Sequence, residues 1–182
     1  MKTLSIWIDE NNNIPENIKC YLASVVKFTP DAEHFLITNS GVAIPGMQTL
    51  DLAAERKRAE ALLGNVAWWD AYCTENMFIA DMLRLAWAIT IPELLYLDAD
   101  VELIGAPIIT PGRIPGMGQT CGYQEFFLFY SDGAADWFQN LVDYTTTQEA
   151  KPMEFMRTFL KIKFGKCLSK PAMMEKTFYI RH

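Results

Sequence analysis

The chain has 182 residues, of which 51% are hydrophobic, 13% aromatic and 21% charged, and this balance excludes disordered, collagenous and disulfide-scaffold proteins. Its 16 basic and 22 acidic residues leave a net charge of −6, which opposes the binding of nucleic-acid phosphates. A domain of this size buries roughly 70% of the surface of its unfolded chain, so we expect one soluble domain over residues 1–182.

The cysteines and the apolar segments indicate a cytoplasmic protein. The four cysteines lie far apart and form no C-x-x-C pair, which excludes a zinc-ligand spacing and a redox motif, so we expect reduced and mostly buried thiols. No stretch approaches the roughly 18 apolar residues of a membrane span, and the apolar run at the N-terminus is too short for a signal-peptide core. We therefore expect neither export nor a membrane anchor. The cysteines are Cys20, Cys73, Cys121 and Cys167.

Predicted strands and helices alternate in the first half of the chain. Short apolar runs predict strands, and apolar residues spaced by three and four predict helices. The strand–helix–strand order at the start is the unit of a parallel α/β sheet. The predicted elements are a strand at 4–8, a helix at 15–26, a strand at 34–38, a helix at 51–63, a helix at 76–91 and a strand at 94–97.

The second half begins with a segment rich in glycine and proline. Residues 105–122 contain five glycines and three prolines, which predicts a loop over most of this segment. Gly116 and Gly118 do not form a dinucleotide-binding fingerprint, because Cys121 stands where the third glycine is needed. Beyond the loop, the pattern predicts a strand at 126–130, helices near 134–144 and 153–163, and a short strand at 178–180.

Two carboxylates, Asp98 and Asp100, directly follow the predicted strand at 94–97. Ligands of open α/β sheets bind at the carboxyl ends of the strands, which is where these acids lie. Two oxygen ligands at such an edge suit Mg²⁺ or Mn²⁺ held together with waters and a substrate phosphate. The alternative is a strand-end turn in which the aspartates cap backbone N–H groups, and an isolated D-x-D more often has that role.

The residues upstream of this pair form a longer pattern. Asp81 and Arg84 are three apart on one flank of the predicted helix, where an ordinary surface ion pair is the alternative interpretation. Together, A-D-x-x-R, a helix and Y-L-D-A-D-V-E resemble the core signature of the GT-A glycosyltransferases of family 32 and their relatives, which include the glucosylating domains of clostridial toxins. The opening strand with its tryptophan, Ser24, and the segments 14–16, 28–31 and 178–182 follow in family order.

The resemblance implies an α/β fold of the GT-A, Rossmann-like type, a single domain with a mostly parallel central sheet flanked by helices. It implies a metal-dependent glycosyltransferase that moves a hexose from a UDP-sugar such as UDP-glucose to an unknown acceptor, with retention of configuration. Hydrolysis of the donor is the other outcome that the sequence leaves open. One departure is that Pro92 and Glu93 replace the glycine pair that usually precedes the strand.

The resemblance also assigns a metal site. Asp98 is matched to the ribose and metal environment, Asp100 to direct ligation of Mn²⁺ or Mg²⁺, and His182 to a third metal ligand. Imidazole suits Mn²⁺ better than Mg²⁺. The alternative for His182 is a frayed terminal residue or the remnant of a tag.

The remaining assignments concern the donor. The resemblance matches Asp81 and Arg84 to the donor-sugar hydroxyls and the phosphate side, and these two residues complete the expected catalytic set with the two later aspartates. Trp7 is expected to stack on the uracil, and Tyr96 is counted among the nucleotide- or sugar-binding residues. A core tryptophan on a central strand is an equal alternative for Trp7.

Two other function classes remain open. A non-catalytic nucleotide-sugar-binding domain would keep the donor pocket, and we expect it if the segment that closes over the donor in relatives is absent after His182. A magnesium-dependent phosphohydrolase of the haloacid-dehalogenase type also places D-x-D at a strand end. That class expects the motif on the first strand followed by threonine or serine, whereas here it lies mid-chain and Val101 follows. Release of UDP separates the first alternative from a transferase.

Overall fold

A computed structural model of the chain describes residues 1–63, 76–107, 117–119, 127–130 and 178–180. These residues form α-helices and β-strands in alternation, as expected for an α/β protein. The elements in chain order are β1 (Lys2–Trp7), α1 (Glu16–Phe28), β2 (Glu33–Thr38), β3 (Gln48–Asp51), α2 (Leu52–Leu63), α3 (Asn76–Thr90), β4 (Leu94–Leu97), β5 (Val101–Leu103), β6 (Met117–Gln119), β7 (Phe127–Tyr130) and β8 (Phe178–Ile180).

The central sheet has six strands in the order β3-β2-β1-β4-β7-β6. The first four strands are parallel to one another, whereas β7 is antiparallel to β4 and β6 is antiparallel to β7. A second sheet consists of β5 and β8, which pair antiparallel. The predicted α/β class with a mostly parallel sheet is therefore confirmed.

Helix α1 covers one face of this sheet. Successive side chains of a strand point to opposite faces, so Leu36 of β2 and Leu95 and Leu97 of β4 share the face toward α1. The helix contributes residues at a spacing of three and four to two apolar clusters on that face, and each buried Leu, Ile or Val stabilises the fold by about 1.5–3 kcal/mol. These residues are Ile18, Tyr21, Leu22 and Val25.

Helices α2 and α3 lie on the other side and are joined through one tryptophan. The ring centroids of Trp87 and Phe35, which lies on β2, are 5.1 Å apart. The Nε1–H of Trp87 donates a 2.8 Å hydrogen bond to Oε2 of Glu55. The guanidinium of Arg58 pairs with the same carboxylate and lies 5.2 Å from the Trp87 ring. Trp87 is 5% exposed and is therefore a packing residue of this side of the sheet.

Three short strands were not predicted. Strands β3, β5 and β6 have four, three and three residues and contain polar residues or glycine, so they lack the continuous apolar run that marks the equally short strands β4, β7 and β8. Strand β6 lies inside the segment 105–122, so the loop prediction is wrong there, because pairing with β7 supplies the order that the local sequence lacks. The predicted helices near 134–144 and 153–163 lie outside the described residues.

Two general expectations can also be compared with the structure. The thiol of Cys20 is exposed, so the expectation of a buried thiol is wrong at this position. The reason is that α1 turns positions 18, 21, 22 and 25 toward the sheet and position 20 away from it. The other three cysteines lie outside the described residues. Among the described helices, none is both long and apolar enough to cross a bilayer.

Candidate functional site

The direction of the chain changes between strands β1 and β4. From β1 the chain passes through α1 to β2 and β3 on one side, then returns through α2 and α3 to β4 on the other side. Ligands of open α/β sheets bind at such a switch point, in the crevice at the carboxyl ends of the strands. Trp7 ends β1, and Asp98 and Asp100 follow β4. The structure thus brings these three predicted site residues to one part of the sheet edge.

The two aspartates flank a buried alanine. Ala99 is 4% exposed and belongs to the apolar cluster under α1, whereas Asp98 and Asp100 are each half-buried. The carbonyl of Asp98 accepts a 3.1 Å hydrogen bond from the N–H of Val101, which closes a tight turn. The backbone of the acidic pair is therefore held from inside, because Ala99 cannot move without opening the cluster.

Strand β5 holds the far side of this turn. Its two apolar residues, Val101 and Leu103, are 2% and 1% exposed and pack with Val25 of α1. The N–H of Leu103 donates a 2.8 Å hydrogen bond to Oγ of Ser24, whose hydroxyl donates to the carbonyl of Tyr21. The acidic turn is thus tied to α1 on both sides, directly through Ala99 and by way of β5.

A tyrosine contacts the first aspartate of the pair. The Tyr96 hydroxyl donates a 2.5 Å hydrogen bond to Oδ1 of Asp98, and the Tyr96 residue is 3% exposed. The guanidinium carbon of Arg84 lies 4.8 Å from the centroid of the Tyr96 ring, and Arg84 is 2% exposed. This burial shows that Arg84 is not a surface side chain. It places a buried cation behind the acidic edge, on the α3 face of the sheet.

Asp81 lies on the same helix as Arg84. Because α3 ends shortly before β4, it runs back along the sheet, and its amino-terminal part approaches the carboxyl edge. At a rise of about 1.5 Å per residue, the backbone of Asp81 is about 4.5 Å nearer to that edge than the backbone of Arg84. The position of Asp81 is therefore compatible with its predicted role toward the donor.

The loop after β1 is held by side chains. The carboxylate of Asp9 accepts hydrogen bonds from the N–H groups of Asn11 and Asn13, at 3.0 and 3.2 Å. The carboxamide of Asn39, directly after β2, accepts from the N–H of Asp9 at 3.1 Å and donates to its carbonyl at 2.7 Å. Trp7 donates from Nε1 to the carbonyl of Asn13 at 2.8 Å. These contacts order the loop that borders the switch point.

Sequence reasoning missed two of these loop residues. Asp9 and Asn39 are polar residues that directly follow buried strands, and that position at a carboxyl edge was the available signal. Trp7 itself is half-buried and packs against the apolar cluster that contains Ala99. It therefore has packing contacts of the kind that a core tryptophan makes, while it stands at the edge where the donor is expected.

The donor set for a cation consists of carboxylates. Within the described ranges, no group of three or more His, Cys, Asp and Glu residues lies close enough to hold a metal ion. Two half-buried carboxylates on one turn fit an open site that waters and a phosphate complete, which is the usual way in which Mg²⁺ is bound. The predicted strand at 178–180 is confirmed as β8, and Ile180 pairs with Val101, next to the acidic turn. His182 lies outside the described residues, so its role stays a prediction.

Solved structures with a similar fold include the PaToxG glycosyltransferase, at a TM-score of 0.54 and 15% identity over 90% of this chain and 69% of that one. A transferase with two cysteine-to-serine substitutions matches at a TM-score of 0.53 and 7% identity over 89% of this chain and 86% of that one. Mouse xyloside xylosyltransferase 1 in its apo form has a TM-score of 0.43 at 12% identity, over 90% and 75% of the two chains.

The first two similarities, together with the strand order, confirm the expected GT-A-like α/β fold. At these identities they concern the fold alone. No protein-family model and no curated protein matches the chain.

Proposed function

We propose that the chain is a glycosyltransferase that transfers a hexose from a UDP-sugar to an acceptor and uses a divalent cation held by Asp98 and Asp100. The observation that carries the proposal is the acidic turn at the switch point between β1 and β4, in a fold shared with the PaToxG glycosyltransferase. The acidic pair lies where this type of sheet binds its ligand, at the carboxyl end of a strand beside the switch point.

The charges of the site require a cation. A nucleotide diphosphate brings about two negative charges to an edge that already carries two carboxylates, in a chain of net charge −6. Asp98 and Asp100 would hold Mn²⁺ or Mg²⁺ against the diphosphate. When bound, such an ion neutralises the diphosphate and stabilises the charge that develops on it as the leaving group. The buried Ala99 holds the backbone between the two acids.

Trp7 supports the binding of a nucleobase. Its indole N–H donates to the carbonyl of Asn13, so the ring has a defined orientation and this N–H is not available to a ligand. A ring face binds a base by stacking, which is worth about 1–3 kcal/mol per base. The loop 9–13, held by Asp9 and Asn39, would border the base on the outer side.

The chain's own groups also suit the sugar side of the donor. Asp81 lies nearer to the carboxyl edge than Arg84 and would accept hydrogen bonds from sugar hydroxyls. Transfer with retention, which the sequence resemblance implies, would depend on the leaving diphosphate and on stabilisation of an oxocarbenium-like state. The acceptor is unassigned, and water is one of the candidates.

The test is calorimetric titration of UDP and UDP-glucose, with and without Mn²⁺, into the wild-type protein and into Asp100→Asn. Replacing a ligand by a neutral isostere should weaken Mn²⁺-dependent UDP binding by more than about 100-fold, since even outer-shell changes cost 10–100-fold. The melting temperature should change little, because Asp100 is at the sheet edge rather than in the core.

The matched control is Asp31→Asn. Asp31 is an exposed aspartate between α1 and β2, at the opposite edge of the sheet, and its loss should leave UDP affinity unchanged. Undiminished Mn²⁺-dependent binding by Asp100→Asn would contradict the proposed metal site. Release of UDP from UDP-glucose, measured with and without candidate acceptors, separates a transferase from a domain that only binds the donor.

A further inference from the structure

We propose that Tyr96 is a positioning residue for Asp98 and that the buried Arg84 acts on the acidic edge through Tyr96. The inference rests on the proposed function, because it assumes that Asp98 meets a cation. It goes beyond that function by giving these two residues an indirect role in place of contact with the donor.

The burial of Tyr96 determines what this side chain can do. With 3% of the residue exposed, the ring is inside the protein and is not a surface on which a base or sugar can stack. Residues two apart on an extended chain point to the same side, so the phenol extends along the strand direction toward the side chain of Asp98. Its hydroxyl reaches Oδ1 of Asp98 at 2.5 Å. The contact between this tyrosine and the edge is therefore a hydrogen bond to a carboxylate.

That hydrogen bond holds one oxygen of the Asp98 side chain. The buried Ala99 and the turn closed by Val101 hold the backbone of Asp98, but its side chain still has two rotatable bonds. A donor to Oδ1 selects one orientation of the carboxylate before any cation arrives. Such outer contacts to metal-binding carboxylates orient them and raise affinity.

Arg84 strengthens this donor. The guanidinium lies 4.8 Å from the ring centroid, within the range in which a cation is attracted to an aromatic face. A positive charge at the ring stabilises negative charge on the phenol oxygen, so the O–H becomes more polar and a better donor. Polarisation along hydrogen-bond chains is stronger in the interior, where the dielectric constant is low. The chain Arg84–Tyr96–Asp98 thus carries the influence of a buried cation to the acidic edge.

The experiment compares Tyr96→Phe with Tyr21→Phe. The first variant removes the hydroxyl and keeps the ring and its contact with Arg84, and the second makes the same change in another buried tyrosine, on α1. Affinity is measured with Mn²⁺ alone, by the electron paramagnetic resonance signal of free Mn²⁺, and with Mn²⁺ plus UDP by calorimetry. Urea unfolding of each variant gives its stability.

We expect Tyr96→Phe to weaken Mn²⁺ binding by about 10-fold, within the range for outer-shell contacts, while Tyr21→Phe leaves it unchanged. Arg84→Met should also weaken it in the wild-type background but add nothing in the Tyr96→Phe background, because its effect passes through the hydroxyl. If Arg84→Met does not fold, Tyr96→Phe decides the positioning role by itself. The spectrum of bound Mn²⁺ should differ between wild type and Tyr96→Phe, which a purely structural tyrosine would not cause.

Equal Mn²⁺ affinities for wild type and Tyr96→Phe would overturn this inference and leave the proposed function intact. So would a loss of affinity that Tyr21→Phe shares in full. If Arg84→Met weakens binding equally in both backgrounds, Arg84 does not act through Tyr96. Failure of the wild-type protein to bind Mn²⁺ and UDP together would instead overturn the proposed function and this inference with it.

Discussion

Acidic side chains have different partners at the amino edge and at the carboxyl edge of the parallel strands. At the amino edge, Glu33 lies 3.7 Å from Nζ of Lys2, and Glu93 lies 3.8 Å from the N-terminal ammonium. At the carboxyl edge, Asp100 takes part in no ion pair within the parts of the chain that the structure describes. Nearby charges offset each other at the first edge, whereas the Asp100 carboxylate at the second has no such partner among the described residues.

The difference indicates which edge is prepared for a ligand. Exposed ion pairs such as those at the amino edge contribute about 0–1 kcal/mol each to stability. Their main effect is that this edge carries little net charge. The carboxyl edge instead uses side chains to order backbone, as Asp9 and Asn39 do in the loop after β1. A carboxylate outside any ion pair, such as that of Asp100, on an ordered backbone is an arrangement that a cation can complete without large movement of the protein.

After the loss of Asp100, the largest effect is expected when the aromatic residue at the carboxyl edge is removed. Trp7→Ala should weaken Mn²⁺-dependent UDP binding by roughly 10–100-fold, since a stacked base is worth about 1–3 kcal/mol. Stability should fall as well, because Trp7 packs against the cluster under α1 and its N–H holds Asn13. Calorimetry and urea unfolding on the same preparations separate the two losses.

Phe28→Ala is the matched control for this variant. Phe28 is a half-buried aromatic residue at the end of α1 that packs against the second apolar cluster, near the amino edge. Its removal should lower stability without changing UDP affinity. A Trp7→Ala variant that loses stability but keeps wild-type affinity would show that Trp7 is only a core residue. Trp7 would then no longer distinguish the carboxyl edge as a ligand-binding edge.

A smaller, pH-dependent effect is expected in the amino-terminal half of the strands. His34 of β2 is 6% exposed, and its Nδ1 lies 2.9 Å from Oγ1 of Thr3 on β1. Burial lowers the pKa of His34 below its ordinary value of 6.5, because the charged imidazolium loses hydration. The folded state therefore binds this proton more weakly than the unfolded state does. The free energy of unfolding is therefore unaffected by His34 protonation above pH 6.5, and it decreases as the pH falls through 6.5 toward the pKa of His34 in the folded state.

Urea unfolding at pH 7.5, 6.5 and 5.5 measures this loss. The His34→Asn variant should lose less stability over that range than the wild-type protein. His182→Asn, which changes the one other histidine of the sequence, should keep the wild-type slope. Equal slopes for wild type and His34→Asn would show that the buried histidine is not linked to folding.

The smallest effect concerns the turn before β4. Glu93 has a φ of +54°, in the left-handed region, which costs roughly 1–2 kcal/mol for a residue with a Cβ atom. Glu93→Gly should be more stable than Glu93→Ala by about 1 kcal/mol, because both lose the carboxylate and only glycine relieves the backbone. UDP affinity should be unaffected in both variants. A change in affinity would show that the two edges are coupled through β4.

Much of the fold was predicted from local pattern. The strands at 34–38 and 94–97 and the helices α1, α2 and α3 were found to within a few residues, because their apolar spacing extends over several turns or a whole buried strand. Strands β3, β5 and β6 were not found. Gln48 and Thr49 of β3 are exposed, so its strand conformation comes from pairing with β2 rather than from an apolar face.

The candidate site was predicted unevenly. The acidic pair was identified because it directly follows an apolar strand, and the resemblance supplied Asp81 and Arg84. The burial of Arg84 was not foreseen, because its flank of α3 becomes interior only when the helix packs on Tyr96. The roles of Asp9 and Asn39 were missed for the same kind of reason. Their hydrogen bond joins two loops that become neighbours only through the pairing of β1 with β2.

The sequence by itself determined the order of the helices α1 to α3 and of the apolar strands among the described elements, and the presence of two carboxylates after a buried strand, since these properties depend on residues within one or two turns of each other. The tertiary structure alone decided that β4 lies beside β1, which places Trp7 next to the acidic pair. It also decided that a buried cation faces Tyr96 and that a tyrosine hydroxyl meets Asp98. Contacts of this kind follow from strand order and helix packing, which are selected by the whole core and leave no periodic signal along the chain.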